Sequence, residues 1–284
     1  MNIKTVAVIG AGIMGRGIAH VSALAGFDTV LNDISDDLLQ DAMTRIRRDL
    51  QKGVEQGKIT NASMHSALER LALDTSLEHS GAGADLVIEA VPERIDLKLD
   101  VFARLDRACP PHAILASNTS ALSITEISSA TKRPQRFIGM HFFNPVHKMK
   151  LVEIIRGLET DDETFRVAEA VAHKMGKETV GVHESPGFVT SRINALIGNE
   201  AFYMLQEGIA SARDIDKALK LGLNHPMGPF EMIDLVGLDT RLSILNFLYQ
   251  TLGEKYRPCP LLVKYVKAGR LGKKVGKGVY EYSE

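Results

Sequence analysis

A histidine and a glutamate in this sequence are spaced to act together on a proton. His141 ends an apolar run, Phe137–His141, that predicts a buried strand, and an Asn-Pro turn follows it. Twelve residues later, Glu153 lies inside a second apolar run, Leu151–Ile155. A carboxylate rarely enters such a run without a partner. If the two strands are neighbours, Glu153 would hold the imidazole by its N–H while the histidine acts as a general base.

Simpler interpretations stay open for both residues. His141 is one of nine histidines, and a lone histidine is usually a structural residue; His65, His79 and His112 are predicted to be of this surface kind. Glu153 would have no chemical role if Leu151–Ile155 were an edge strand with this side chain facing outward. The pattern alone favours the paired arrangement, because His141 ends its strand.

A polar run, Ser117-Asn118-Thr119-Ser120, follows a third apolar segment, Ala113–Ser117. Open α/β sheets bind ligands beyond the carboxyl ends of their strands, so these side chains are expected to face a ligand crevice. A turn that merely leads into a helix explains the run equally well, since Ser123-Ile124-Thr125-Glu126 is itself a capping box.

A glycine-rich turn, Gly10-Ala11-Gly12-Ile13-Met14-Gly15, connects a predicted strand, Thr5–Ile9, to a predicted helix, Met14–Ala25. This context indicates a dinucleotide site. Gly10 permits the tight turn, Gly12 leaves room for a pyrophosphate, and Gly15 lets the helix pack closely on the strand. The N–H groups at the start of the helix, where Ile13 and Met14 lie, would face the phosphates.

An acidic residue, Asp33, follows the next predicted strand, Asp28–Asn32. A carboxylate at this distance from the glycines accepts hydrogen bonds from ribose hydroxyls and repels a 2′-phosphate, so NAD is favoured over NADP. The alternative is a structural glycine turn with Asp33 as a helix cap. The agreement of strand, glycines, helix, strand and acid favours the nucleotide site.

The elements that must position these groups alternate over the first 184 residues. Beyond those already named, strands are predicted at Asp85–Ala90 and Thr179–Val182, and helices at Ile95–Ala108 and Asp162–Met175, with a charged insert of one long and one shorter helix from Asp36 to about Leu71. Such alternation is typical of parallel strands with crossover helices.

After Ser185-Pro186-Gly187 the pattern becomes helical. Helices are predicted at Val189–Glu207, Ala212–Leu221, Pro229–Val236 and Asp239–Leu252, with a final strand at Gly278–Tyr282. We therefore predict a Rossmann-like NAD-binding α/β domain over residues 1–184. An all-helical C-terminal domain for substrate binding and dimerisation is predicted over residues 185–284.

The composition argues against several classes of protein. A net charge of −1 and an aromatic content of 6% give no basis for binding nucleic acid or a membrane surface. Two cysteines, and the absence of H-E-x-x-H and C-x-x-C sequences, imply neither a disulfide framework nor a metal site. No leader or membrane-spanning run is predicted, so we expect a soluble, unprocessed, cytoplasmic protein.

Together these motifs resemble the 3-hydroxyacyl-CoA dehydrogenases, in particular the short, single-function members that act on 3-hydroxybutyryl-CoA. The resemblance runs the full length of the chain and rests on Gly10–Gly15, Ser117–Ser120, His141-Phe142-Phe143-Asn144-Pro145, Leu151-Val152-Glu153, Ser185-Pro186-Gly187-Phe188, Pro226-Met227-Gly228-Pro229 and Gly278-Val279-Tyr280. It implies an NAD-dependent oxidoreductase that interconverts L-3-hydroxyacyl-CoA and 3-oxoacyl-CoA. It also implies a homodimer paired through the helical domain.

The resemblance also assigns roles to single residues. It makes His141 the general base, Glu153 its orienting partner and Ser120 a hydrogen-bond partner of the substrate oxygen. Asn144 would lie near the nicotinamide and the substrate. Further NAD contacts are implied for Glu93, Lys98, Asn118, Ser120 and Lys274.

The substrate contacts depart from the family pattern. Where many relatives carry an asparagine after Pro-Gly-Phe, this chain has Ser191, which could donate a hydrogen bond itself or leave the role to Asn194 one turn later. For the coenzyme A phosphates, Arg48, Lys52 and Lys58 of the charged insert are candidates. A solvated basic helix face explains each of these three equally well.

Two other functions remain compatible with the sequence. A related dehydrogenase of another hydroxy compound, such as a sugar acid, would use the same base, acid and cofactor. A structural protein that binds NAD without turnover would keep the fold, but the presence of Ser120, His141 and Glu153 argues against a loss of chemistry.

Overall fold

The computed structural model describes residues 1–282 and divides the chain into two compact units. The first unit runs from Met1 to Ser185, and the second begins at Pro186. The division predicted from the sequence lies one residue earlier. Each unit has its own apolar core, so each is described by itself.

The first unit is built on a mostly parallel sheet. Within residues 1–282, its eight strands are β1 (Thr5–Ile9), β2 (Asp28–Asn32), β3 (Leu71–Asp74), β4 (Leu86–Glu89), β5 (Ile114–Ser117), β6 (Phe137–Phe142), β7 (Leu151–Arg156) and β8 (Glu178–His183). They are arranged in the order β3-β2-β1-β4-β5-β6-β7-β8. Neighbouring strands are parallel except β6 and β7, which are antiparallel. The predicted Rossmann-like fold is confirmed.

Burial explains which strands the sequence revealed. All four residues of β4 and all four of β5 are buried, because helices cover both faces of the sheet. Strands of this kind have continuous apolar sequences and are easily recognised. β3 was not predicted: it lies at the edge of the sheet, and none of its four residues is fully buried.

Helices connect the strands of the first unit. They are α1 (Ile13–Leu24), α2 (Asp36–Glu55), α3 (Asn61–Glu69), α4 (Leu77–Ala82), α5 (Ile95–Ala108), α6 (Ile124–Ser128) and α7 (Asp162–Lys174). The predicted pair of helices in the charged insert corresponds to α2 and α3. Side-chain caps begin several of the helices; for example, the Asp161 carboxylate accepts from the Thr164 N–H at 2.7 Å at the start of α7.

The second unit is helical in its described part. Its helices are α8 (Thr190–Gln206), α9 (Ala212–Gly222), α10 (Pro229–Val236), α11 (Leu238–Leu252) and α12 (Pro260–Lys267). Pro229 and Pro260 occupy first helical positions, where the missing N–H costs nothing. Phe202 packs edge-on against Phe230 and Tyr265, with ring centroids 5.2 and 5.7 Å apart, at the centre of the unit.

The predicted strand at Gly278–Tyr282 is wrong. As far as the chain is described, this segment takes part only in an isolated bridge between Lys277 and Glu281. Its N–H groups do not pair with a strand. Those of Val279 and Tyr280 donate instead to the Asp234 carboxylate, at 2.8 and 2.9 Å. A buried side chain therefore takes the place of a neighbouring strand.

Residues 1–282 were searched for membrane-spanning helices, metal-binding groups and disulfide bonds. No helix there combines the length and apolar character needed to cross a bilayer. No group of three histidine, cysteine or acidic side chains is arranged to hold a metal ion. Cys109 and Cys259 are buried free thiols, one in each unit.

Candidate active site

The histidine and the glutamate meet across two strands of the first unit. His141 on β6 pairs directly with Glu153 on the antiparallel β7. The His141 Nδ1 atom lies 2.7 Å from a Glu153 carboxylate oxygen. Glu153 is fully buried, and β7 lies between β6 and β8, so the alternative of an outward-facing residue on an edge strand is wrong.

This contact sets the chemistry of the imidazole. A carboxylate can only accept, so Nδ1 carries the proton in the neutral ring and Nε2 carries the lone pair. That is the tautomer a general base needs. The carboxylate also stabilises the imidazolium that forms when Nε2 takes a second proton.

The polar run after β5 reaches the same place. Ser120 and Asn118 line a cavity of about 330 Å³ together with His141, Asn144 and Glu93. The Asn118 side-chain oxygen accepts from the Phe142 N–H at 2.8 Å and so ties this run to the end of β6. The turn does lead into α6, but its cap is Ser123, which accepts from the Glu126 N–H at 3.0 Å. The polar run is therefore available to line the cavity.

Glu93 organises this run from the side of α5. One of its carboxylate oxygens accepts from the Thr119 hydroxyl at 2.6 Å, from the Ser120 N–H at 2.9 Å and from the Ser120 hydroxyl at 3.2 Å. Burial acts to raise the pKa of Glu93, but the charge of Lys98 and these hydrogen bonds outweigh it and lower the pKa. Glu93 is thus an anion at neutral pH.

The glycine turn borders a second, larger cavity of about 840 Å³, to which Asp33 also contributes. Gly10 has a φ of +102°, and a Cβ there would lie 2.8 Å from the Ala90 carbonyl oxygen. A Cβ at Gly15 would collide with the Gly10 carbonyl, whereas Gly12 faces open space. These three positions fit the roles of a tight turn, close packing and room for phosphates.

Asp33 lies beside that turn. Its carboxylate accepts from the Ala11 N–H at 2.6 Å and from the Ile34 N–H at 2.7 Å. Each oxygen keeps a second lone pair, so the side chain remains able to accept from ribose hydroxyls. Ile13 and Met14, at the start of α1, border the same cavity.

Lys98 is buried beside two carboxylates. Its side chain is 1% exposed, it lines neither cavity, and its ammonium lies 2.6 Å from Glu89 and 3.3 Å from Glu93. Glu89 did not emerge from the sequence analysis. The signal was present, since a lone carboxylate at the end of an apolar strand needs a partner, the same argument that identified Glu153.

The candidates for coenzyme A contact lie outside both cavities. Lys52 on α2 and Lys58 in the turn after it are exposed. Lys58 borders a separate cavity of about 340 Å³ that also touches His20 and His147.

Three candidates belong to the second unit. Ser191 and Asn194 are half-buried in the first turns of α8. Lys274 contacts both carboxylate oxygens of Asp239 at 2.6 Å. Within its unit, Lys274 is therefore held by an acid at the start of α11.

Two family models match the chain. Residues 5–185 match the family model described as 3-hydroxyacyl-CoA dehydrogenase, NAD binding domain. Residues 187–282 match the model described as 3-hydroxyacyl-CoA dehydrogenase, C-terminal domain. The two matches cover nearly all of the chain.

Individual relatives are similar over their whole length. A probable 3-hydroxybutyryl-CoA dehydrogenase of Bacillus subtilis is 51% identical, with 100% of this chain and 99% of the relative covered. A 3-hydroxybutyryl-CoA dehydrogenase of Bradyrhizobium diazoefficiens is 49% identical, with 99% and 96% covered. The crystal structure of (S)-3-hydroxybutyryl-CoA dehydrogenase from Ralstonia eutropha is 45% identical, covers both chains completely and superposes with a TM-score of 0.96. The chain therefore belongs to the 3-hydroxyacyl-CoA dehydrogenase family and is an NAD-dependent oxidoreductase.

Proposed function

We propose that this protein interconverts L-3-hydroxybutyryl-CoA and acetoacetyl-CoA. The observation that carries the proposal is the buried His141–Glu153 pair, whose histidine lines one cavity together with Ser120 and Asn144. The names of the similar proteins from three bacteria support a four-carbon acyl group. Stereochemistry at the hydroxyl carbon follows the (S) descriptor of the Ralstonia eutropha enzyme.

The first unit fits the cofactor. The cavity beside Gly12 has open space where phosphates would lie, and Asp33 lines it. When bound, NAD supplies the acceptor for the hydride that leaves the hydroxyl carbon. We assign Gly10, Gly12, Gly15, Asp33 and the start of α1 to holding it, with Asn118 and Asn144 near its reactive end.

His141 moves the proton. In the oxidative direction its Nε2 atom takes the proton of the substrate hydroxyl, and in the reductive direction it returns that proton to the ketone oxygen. Glu153 keeps the ring oriented and balances the positive charge. Ser120 hydrogen-bonds the same substrate oxygen, so that the oxygen lies between two polar groups.

The remaining assignments concern the phosphates of coenzyme A and two residues of the second unit. We assign Lys52 and Lys58 to the phosphates of coenzyme A, Ser191 to the substrate and Lys274 to the cofactor. Lys52 and Lys58 are exposed cations in a segment of otherwise mixed charge, which suits an anionic ligand.

We also propose a homodimer formed through the second unit. Several of its large apolar side chains are exposed, namely Ile193, Ile209, Leu221, Leu223 and Leu235. Exposed apolar surface of this extent is typical of a subunit interface. A cytoplasmic location is proposed because both cysteines are free.

The proposal is tested by following NADH absorbance when the purified protein is mixed with acetoacetyl-CoA. We expect rapid consumption of NADH, slower consumption of NADPH and none with free acetoacetate. Consumption with a free sugar-derived keto acid but not with the CoA ester would instead identify a sugar-acid dehydrogenase. Binding of NADH without any consumption would support a non-catalytic protein and overturn the proposal.

A further inference from the structure

Glu89 is a buried carboxylate that none of the catalytic steps above uses. It is the last residue of β4 and is fully buried. One of its oxygens accepts from the Lys98 ammonium at 2.6 Å and from the Val91 N–H at 2.7 Å. The other accepts from the Ser117 hydroxyl at 2.6 Å. Three donors from β5, α5 and the chain after β4 therefore hold this side chain in one position.

Lys98 lies between two carboxylates. Its ammonium is held by Glu89 on one side and lies 3.3 Å from Glu93 on the other. An ammonium this deeply buried is costly unless it is paired and hydrogen-bonded. Glu89, which has no access to solvent, supplies the fixed partner, while Glu93 is 40% exposed and is the partner that reaches the cavity.

Glu93 divides its two oxygens between Lys98 and the polar run after β5. The oxygen that does not face Lys98 accepts three hydrogen bonds from Thr119 and Ser120. The contacts thus form one continuous chain, from Glu89 through Lys98 and Glu93 to the turn that carries Ser120. This turn lines the cavity that contains His141.

We propose that Glu89 is a positioning residue, which fixes Lys98 and thereby holds Glu93 and the Ser120 turn in place beside His141. The inference rests on the proposed function, since it concerns the residue that meets the substrate oxygen. A displacement of about 1 Å at such a residue is enough to reduce turnover by up to roughly a hundredfold. Glu89 acts without touching the substrate.

A purely structural role for Glu89 makes a different prediction. If Glu89 only tied β4 to β5 and α5, its loss would lower the unfolding temperature, and any effect on kcat would not depend on Glu93. If it acts through Glu93, its effect on kcat should disappear once the Glu93 carboxylate has been removed. A double-mutant cycle separates the two possibilities.

The experiment compares Glu89→Gln, Glu93→Gln and the double variant with acetoacetyl-CoA and NADH as substrates. We expect each single variant to lose about tenfold or more in kcat. The double variant should be within about twofold of Glu93→Gln alone, since the coupled residues act as a unit. The matched control is Asp106→Asn, which breaks another buried ion pair, with Arg133 at 2.7 Å, away from both cavities. This control should lower the unfolding temperature and leave kcat unchanged.

Two results would overturn the inference: an unchanged kcat in Glu89→Gln, or losses that multiply in the double variant. If Glu89→Gln does not fold, Glu89→Asp, which keeps the charge but shortens the side chain, takes its place in the cycle, and its loss in kcat should again vanish beside Glu93→Gln. Failure of the proposed function would look different, because the unaltered protein would then not consume NADH with acetoacetyl-CoA.

Discussion

At the scale of single residues, the candidate catalytic groups are buried and are hydrogen-bonded to each other. Glu153 is fully buried and His141 is 7% exposed, yet they satisfy each other at 2.7 Å. A carboxylate buried without such a partner would cost several kcal/mol. Burial therefore makes the pairing necessary, and the same burial would favour the proton transfer proposed for His141.

Replacing His141 tests the proton-transfer step. In His141→Gln, the side chain keeps its polar character but cannot take a proton, so we expect kcat to fall by about 10²- to 10⁴-fold. The affinity for NADH should be preserved, because the glycine turn and Asp33 lie in the other cavity. Stopped-flow turnover and NADH fluorescence titration measure the two quantities, and an unchanged kcat would contradict the assignment of the base.

Replacing Asp33 tests the choice of cofactor. Asp33→Ala removes the acceptor proposed for the ribose hydroxyls. It also removes the hydrogen bond from the Ala11 N–H, which helps to hold the glycine turn. We expect the KM for NADH to rise about tenfold or more, and the preference for NADH over NADPH to narrow. Asp37→Ala, at an exposed position in the first turn of α2, serves as the control. An unmoved NADH/NADPH ratio would show that Asp33 does not contact the ribose.

At the scale of elements, α1 carries a second histidine that no catalytic step uses. His20 is 5% exposed and stacks on His147, with the ring centroids 5.6 Å apart. Burial, with a smaller contribution from His147, lowers the pKa of His20 to about 4, while Asp49 opposes the shift and Lys177 adds to it. The folded protein therefore holds this ring neutral at pH values where an unfolded chain would protonate it.

This difference predicts an acid-sensitive stability. As the pH falls from about 6.5 to about 4, the unfolded chain binds a proton at His20 and the folded protein does not, so stability is lost across that window; above it, His20 has no effect. The loss approaches roughly 3 kcal/mol at the acid end. In His20→Gln, the unfolding midpoint should fall less steeply as the pH is lowered. In His65→Gln, at an exposed position, it should fall as it does in the unaltered protein. Identical slopes for His20→Gln and the unaltered protein would contradict this account.

The elements also show what the sequence made predictable. β1 and β2 form over the ranges expected from their apolar β-branched runs, and the His141–Glu153 contact follows once β6 and β7 are neighbours. β3 and the short helix α4 were missed, because an edge strand of four residues and a helix of six carry too little periodicity to be recognised.

The partners of Lys98 could not be predicted from the sequence, for a different reason. Its nine-residue separation from Glu89 gives no indication that α5 turns this side chain inward. Only the packing of α5 on the sheet decides which of its charged residues is buried. The same holds for Val279 and Tyr280, whose N–H groups are used by Asp234, 45 and 46 residues earlier.

At the scale of the whole molecule, a net charge of −1 leaves little long-range repulsion between two copies. The second unit exposes Leu221 at 77% and Leu223 at 67%, near the end of α9. Apolar side chains this exposed gain from burial against a second copy. This charge balance and exposed surface both favour self-association.

A paired substitution tests the dimer. We expect the unaltered protein to sediment with twice the chain mass of 31.1 kDa, and the variant with both Leu221→Asp and Leu223→Asp to shift toward the monomer. Two charges forced into an apolar interface should weaken association strongly. Leu158→Asp, at an 80% exposed position of the first unit, is the matched control and should remain a dimer. Sedimentation of the unaltered protein as a monomer would contradict the dimer.

The antiparallel register of β6 and β7 has a consequence for refolding. His141 faces Glu153 only when these two strands pair in the observed register, and a slip by one residue would turn Glu153 to the opposite face of the sheet. Turnover regained after dilution from denaturant therefore counts only the molecules in which this pairing has formed correctly. Recovered activity therefore requires that β6 and β7 have paired in this register. A spectroscopic signal dominated by the helices does not report on that pairing.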